Sequence, residues 1–394
     1  MSVRLLPDTT DEQRMMLDAV VRAIETGCPL PAVRELAERS EPAGAALRRS
    51  LGELGCFGLL AGEDRGGGSL SGNGVLDAAL VAAERGARLQ PGPFVGTHVA
   101  VDTLARVAAA PQRLAALEAL VAGEAAATWA AAGLLGQPGG SALTVRETDG
   151  GFVLTGLVSA VQDADECDWI LISAPADGGG AADGGVRHFL LARTAGGLSL
   201  EKVESLDITR RFFDLRLAEV HVPAWASLAD PADGAALADR QIAVAAVLSA
   251  AESVGAMDAN FQLAVEYSRT RIAFGRPIGS FQALKHLLAD SSLLVEMAKA
   301  LVAGAAEALG RDAVDGPAMA AAARAFVSEN SVEVTHNCFQ VFGGIGYTWE
   351  HDQHLFMRRL AAEAYLFGAP SWHRRRLWQQ GVLAGDGAKE AADV

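Results

Sequence analysis

The sequence predicts an α+β chain in three parts: an N-terminal helical domain, a middle antiparallel β-barrel or sandwich, and a C-terminal helical bundle. Three observations predict it. Apolar residues recur at helical spacing up to about residue 126. The pattern then changes to short alternating runs separated by glycine turns, as far as about residue 228. Helical periodicity returns beyond that point and persists. The boundaries expected are 1–126, 127–228 and 229–394.

In the first part, Leu47, Leu51, Leu54 and Phe57 fall on one helical face, and Leu114, Leu117 and Leu120 on another. Between them lies Gly62 to Gly68 (GEDRGGG). It lacks the Gly-Lys-Ser/Thr ending of a phosphate loop and follows no strand, so it reads as an interhelical turn. In the second part, Leu143 to Thr148 and Phe152 to Thr155 alternate around Asp149-Gly150-Gly151, a hairpin. Trp169 to Ile172, Arg187 to Leu191 and Phe213 to Val220 are further strands, set apart by Asp177 to Gly185 and by Gly196-Gly197. In the third part, Leu284, Leu287, Leu288, Ser291, Leu294, Val295, Ala298, Leu301 and Val302 form an apolar stripe. Helices over Ala318 to Val341 and Asp352 to Leu360 complete a bundle.

The 394 residues, half of them apolar, suffice for a large core in two or three domains. A net charge of −15 argues against nucleic acid, whose phosphates need clustered Lys and Arg. The one basic cluster, Arg374-Arg375-Arg376, reads as a solvated helix end. The first residues show no charged and apolar leader, and no uninterrupted apolar run approaches the ~18 residues of a membrane span. Cys28, Cys56, Cys167 and Cys338 form no Cys-x-x-Cys pair and read as small buried residues. A soluble, cytoplasmic protein without nucleic-acid or membrane partners is expected.

Two stretches carry the chemistry: Tyr267 to Gln282 (YSRTRIAFGRPIGSFQ) and Gln340 to His351 (QVFGGIGYTWEH). Each sets an arginine or glutamine beside glycines, where donors and bare backbone can meet a phosphate or a nucleotide edge. Together they closely resemble the two C-terminal signatures of the acyl-CoA dehydrogenase family. These are flavoenzymes that desaturate acyl thioesters next to the carbonyl. The resemblance is strong over 240–380, moderate over 45–90 and weak in the β region.

The resemblance implies FAD, with its ring held by one subunit's β domain and its nucleotide end gripped by the neighbour's helices. On that pattern Arg271 meets the pyrophosphate and Phe274 packs on the middle of the flavin. Gln282 bonds near the pyrophosphate, while Gln340, Gly343 and Gly344 seat the adenosine end. The ring-holding half departs from the pattern. Where the family has a Thr-Glu-Pro-x-x-Gly-Ser-Asp run, this chain has Ala131 to Pro138 (AAGLLGQP). Its ring-covering strand corresponds loosely to Ser159 to Asp163.

The catalytic base is missing from both positions the family uses. One maps to Phe367, the other to Ala245, and the neighbouring arginine that many members keep for CoA maps to Ala246. Glu252 lies two turns, ~10 Å, beyond Ala245 and reads as a structural ion-pair partner, replaceable by Gln at modest cost. Asp207 and Glu350 are weaker candidates still. His351 and His354 read as a helix-surface pair with no third metal ligand, and no metal is expected. No catalytic residue is assigned.

The resemblance implies α,β-desaturation of an acyl-CoA thioester, of a fatty acyl or a steroid side chain. It points to the base-lacking partner subunit of a heteromeric complex, a type found among actinobacterial members. A self-sufficient homo-oligomer with an unrecognised base and a flavin-free scaffold remain the alternatives.

Overall fold

The computed structural model describes residues 3, 5–107, 110–135, 142–176 and 185–379, without the side chains of 231 and 232. The N-terminal helices are α1 (Asp11–Gly27), α2 (Leu30–Arg39), α3 (Ala45–Glu53), α4 (Gly74–Ala87), α5 (Val95–Arg106) and α6 (Pro111–Val121). Thr10 and Gln13 cap α1 reciprocally, as a Thr-x-x-Gln box should. The Gly62–Gly68 turn holds one short 3₁₀ segment, Glu63–Arg65. A cavity of about 370 Å³ adjoins it, but the arginines there, Arg106 and Arg240, already pair with Asp102 and Asp312.

The strands are β1 (Ala127–Ala131), β2 (Ala142–Thr148), β3 (Gly151–Gln162), β4 (Trp169–Pro175), β5 (Val186–Ala192), β6 (Leu198–Val203) and β7 (Phe212–Pro223). They form two open sheets, in the orders β1-β4-β5 and β2-β3-β7-β6. The expectation of a barrel or sandwich resolves to a sandwich. The antiparallel expectation holds for every pair of the two sheets except β1 with β4, which run parallel. Parallel neighbours need a long connection, and here the chain passes through β2 and β3 in between.

The smaller sheet is covered on both faces. Ala130, Ile170, Ile172, Phe189 and Leu191 pack into the sandwich, whereas Trp129, Leu171 and Leu190 point the other way into the helical core. That alternation aims Trp129 at the C-terminal bundle.

The bundle is α7 (Pro231–Thr270), a hairpin of β8 (Ile272–Ala273) and β9 (Arg276–Pro277), α8 (Gln282–Gly310), α9 (Gly316–Phe342), α10 (Gln353–Glu363) and α11 (Pro370–Gln379). By length and composition Asp233–Thr270 would suffice to cross a membrane, yet 94% of its most apolar window is buried within the fold. It packs on α4, α8, α9 and α10. Glycines bring α4 and α7 into backbone contact: a Cβ on Gly255 would lie 1.9 Å from the Ala83 carbonyl, and one on Gly86 1.9 Å from that of Glu252.

Candidate functional site

The two C-terminal motifs meet at one end of the bundle. α7 stops at Thr270, and the β8–β9 hairpin turns through Phe274 (φ 53°) and Gly275 (φ 77°). Two successive positive φ values make the kind of tight turn that suits a two-residue hairpin. Arg271, at the exit of α7, and Gly344, in the 3₁₀ turn Gly343–Tyr347 that follows α9, line one cavity of about 390 Å³. Tyr267, Ile278, Val341 and Phe342 form its apolar walls.

Among the described residues, the Arg271 guanidinium has neither ion pair nor hydrogen bond. A Cβ on Gly343 or Gly344 would meet nothing within 4 Å, so the turn presents open backbone. An unpaired cation beside bare main chain fits a phosphate-bearing group. Gln282 and Gln340 are exposed at the same end, at the start of α8 and near the end of α9. Phe274 stands at the hairpin tip, 95% exposed, edge-on to Phe281, whose ring also carries Arg276 at 4.1 Å. So the structure brings Arg271 and Gly344 together, with Gly343 adjoining. Gln282, Gln340 and Phe274 lie outside that cavity's lining.

The turn is braced from the N-terminal helices. Arg34 of α2 reaches the Trp349 carbonyl (2.5 Å) and Asp352 (2.6 Å), and the Trp349 indole N–H donates to Glu38 (2.8 Å). Trp349 stacks on His354 at 4.7 Å, and His351 lies against Phe342 at 4.4 Å. Both histidines are thus engaged in packing, and burial lowers the pKa of each. Glu350 is exposed on the same loop.

Both positions expected for a base are buried. Ala245 and Ala246 lie inside α7's packed face. Phe367, just past α10, takes a left-handed backbone (φ 57°) that is uncommon for a bulky residue. Its ring stacks on Trp129 with centroids 6.0 Å apart and planes 16° from parallel. Trp129 in turn donates its indole N–H to Ser173 Oγ (3.0 Å). That hydroxyl also meets the Gln241 amide (2.7 Å) and His188 Nδ1 (2.9 Å), while His188 Nε2 donates to the Gly234 carbonyl (2.8 Å).

The apolar stretch after β1 follows Trp129 inward. Leu135 joins the helical core, and Leu134 packs with Val186 and Ala238. Residues 136–138 of that stretch and 177–184 of the later glycine-rich loop lie outside the described residues.

Glu252 and Glu363, each within two helical turns of an expected base position, are tied to one guanidinium. Arg210 holds Glu252 at 2.5 Å and Glu363 at 2.7 Å, every one of these side chains at most 2% exposed. Arg85 lies 3.6 Å from Glu252, and Ser253 donates its hydroxyl to Glu363. Asp207 pairs with the fully buried Arg359 at 2.7 Å. Burial alone would push the Glu252 carboxyl up. Arg210, Arg85 and Arg359 together hold it below its ordinary value. Sequence reasoning found Glu252 and Asp207 but missed Arg210, Arg359 and Glu363, since no local pattern marks partners that meet only in the fold.

A three-part helical, β and helical fold, with an unpaired arginine beside open glycine backbone on the last bundle, suits a protein that binds a phosphate-bearing cofactor. The comparisons agree. Residues 10–124 match the model of the acyl-CoA dehydrogenase N-terminal domain, and residues 232–381 that of the C-terminal domain. Acyl-CoA dehydrogenase IpdE2 of Mycobacterium tuberculosis is 33% identical over 377 residues, covering 94% of this chain and 97% of that one. The solved ChsE4-ChsE5 complex of M. tuberculosis contains a chain with TM-score 0.85 and 25% identity, covering 96% of this chain and 99% of that one. A chain of the Tcur3481-Tcur3483 steroid ACAD gives TM-score 0.82 and 25% identity, covering 97% and 99%. The chain belongs to the acyl-CoA dehydrogenase family, FAD-dependent oxidoreductases of lipid metabolism.

Proposed function

We propose that this chain is the base-lacking partner subunit of a heteromeric acyl-CoA dehydrogenase that desaturates an acyl-CoA thioester, of a fatty acyl or a steroid side chain, in the cytoplasm. One observation carries the reading: Phe367 and Ala245 stand where the resemblance puts a base, and Glu252 and Glu363, on the same two stretches of chain, are bound to Arg210. A thioester α-proton needs a positioned base within hydrogen-bond reach. The mixed ChsE4-ChsE5 and Tcur3481-Tcur3483 assemblies support a two-chain arrangement, and the steroid ACAD supports a bulky acyl group.

In this reading the chain comprises units 1–126, 127–228 and 229–394, and its bundle holds the nucleotide end of an FAD whose ring rests on the second chain. Arg271 binds the pyrophosphate, with Gln282 beside it. Phe274, fully exposed on its hairpin, packs on the flavin's middle. Gln340, Gly343 and Gly344 receive the adenosine end. FAD, when bound, supplies the acceptor for the β-hydride. The second chain supplies the base and the donors that acidify the α-carbon.

The test compares this chain purified alone with the chain co-purified with a second acyl-CoA dehydrogenase-like subunit. Flavin absorbance per chain and thioester desaturation are measured for each. Desaturation is expected only in the mixed assembly. Arg271→Ala removes a charge-assisted contact worth roughly 1.5–3 kcal/mol, so it should lower flavin retention about ten- to a hundredfold. Robust desaturation by the isolated chain would establish the self-sufficient homo-oligomer instead. Unchanged flavin content in Arg271→Ala would reject the nucleotide site.

A further inference from the structure

We propose that Trp129, stacked on Phe367, is a fixed stopper that excludes acyl thioesters from this chain's own cleft. The inference rests on the reading of Phe367 as the base position, and adds that the position is closed as well as inert. On that reading, a thioester at the base position would lie between the smaller β-sheet and the chain after α10. Trp129 projects from that sheet and Phe367 from the chain after α10. Their near-parallel rings, 6.0 Å apart at the centroids and only 4% and 7% exposed as residues, are in contact across that gap. An offset stack of this kind leaves no layer for an acyl chain.

Both rings are held from behind. The Trp129 indole N–H is bound to Ser173, which is itself met by Gln241 from α7 and His188 from β5. Swinging the indole out would leave this buried polar group short of a donor. On the other side, Arg324 binds the Leu366 carbonyl (2.7 Å), and the His373 ring lies 3.1 Å from the Phe367 carbonyl. These contacts fix the left-handed turn that aims the Phe367 ring inward. A Trp that merely filled a core would not need its partner ring set by a strained backbone at the base position.

The full chain, assembled with its partner, is tested by equilibrium dialysis against labelled octanoyl-CoA and a labelled steroid side-chain CoA thioester. Trp129→Gly combined with Phe367→Gly is expected to raise the thioester bound per chain above wild type. Equal stoichiometry in both proteins overturns the proposal. The double variant removes two rings from a packed core, so a second measurement keeps the folded protein in hand. The emission of wild type minus that of Trp129→Phe isolates Trp129. This component is expected to resist acrylamide and to stay unchanged while the complex turns over thioester. Quenching by acrylamide, or a spectral shift on adding thioester, means that the stack opens and sinks the proposal. Neither readout uses flavin retention, so a failed nucleotide site and a failed stopper give different results.

Discussion

Glu252→Gln separates a structural carboxylate from a catalytic one. In the folded chain Glu252 faces Arg210 at 2.5 Å and Arg85 at 3.6 Å, with all three side chains at most 4% exposed. Removing one partner of a buried ion pair typically costs 3–5 kcal/mol, because the charge left behind has lost its water. Glutamine preserves the shape and one acceptor oxygen, and Arg210 keeps Glu363 at 2.7 Å. The lower end of that range therefore applies, about 3 kcal/mol, or roughly a hundredfold in the folded-to-unfolded ratio. The sequence alone implied only a modest loss. The structure enlarges it because Arg210 is buried with nowhere to turn for solvent.

The assay is urea unfolding of the assembled complex, followed by tryptophan emission, with desaturation measured per folded complex. The midpoint should fall while activity per folded complex is retained. The difference should also depend on pH. The Glu252 carboxyl is held below its ordinary value, so its contribution is complete above about pH 4.3 and is lost as pH falls through the folded-state value. The gap between wild type and Glu252→Gln should close on acidification. Activity lost at unchanged stability would refute this reasoning and make Glu252 the base.

Three further outcomes follow from the helical core. Burial, aided by Arg324, lowers the pKa of His373 to about 3. Its stabilising contribution as a neutral ring is complete above about pH 6.5 and falls by roughly 1.4 kcal/mol per pH unit down to the folded-state value. His373→Gln should therefore flatten the stability profile between pH 6 and 4, and an unaltered slope in urea titrations would contradict the assignment. Gly255→Ala drives a methyl group to 1.9 Å from a backbone carbonyl that has no room to yield, and should cost about 3 kcal/mol. Gly304→Ala meets only the flexible end of Met319 at 3.4 Å and should be neutral or stabilising, which calorimetry can check on both variants.

What the sequence conveyed follows the range of the interactions. The long bundle helices were legible because α8 repeats its apolar stripe over many turns, and the turn that carries Arg271 because its residues are close neighbours along the chain. β1 was not legible. Ala127 to Ala131 is an alanine-rich run with one tryptophan, which no alternation marks, and burial on both faces makes it a strand. Phe367 and Ala245 at the two expected base positions were readable by position. The partners that engage the carboxylates nearby were not, since Arg210 and Glu252 are 42 residues apart and Ser253 and Glu363 are 110 apart.

Glu363 shows why position and acidity must be weighed in that order. It precedes Phe367 by one helical turn, and burial pushes its carboxyl upward against the pull of Arg210 and Arg359. A buried carboxyl with a raised pKa next to an expected base position has the profile of a general base. Its geometry removes it from that role. One oxygen faces Arg210 at 2.7 Å, the other accepts from Ser253, and the side chain is 2% exposed. A carboxylate so buried and engaged is poorly placed to take a thioester proton. Two carboxylates share Arg210: Arg210, Arg85 and Arg359 hold Glu252 low, whereas burial, with the Glu252 charge nearby, keeps Glu363 high. The raised pKa of Glu363 thus follows from its burial, which outweighs the arginines of the ion cluster that joins α4, α7, α10 and the loop before β7.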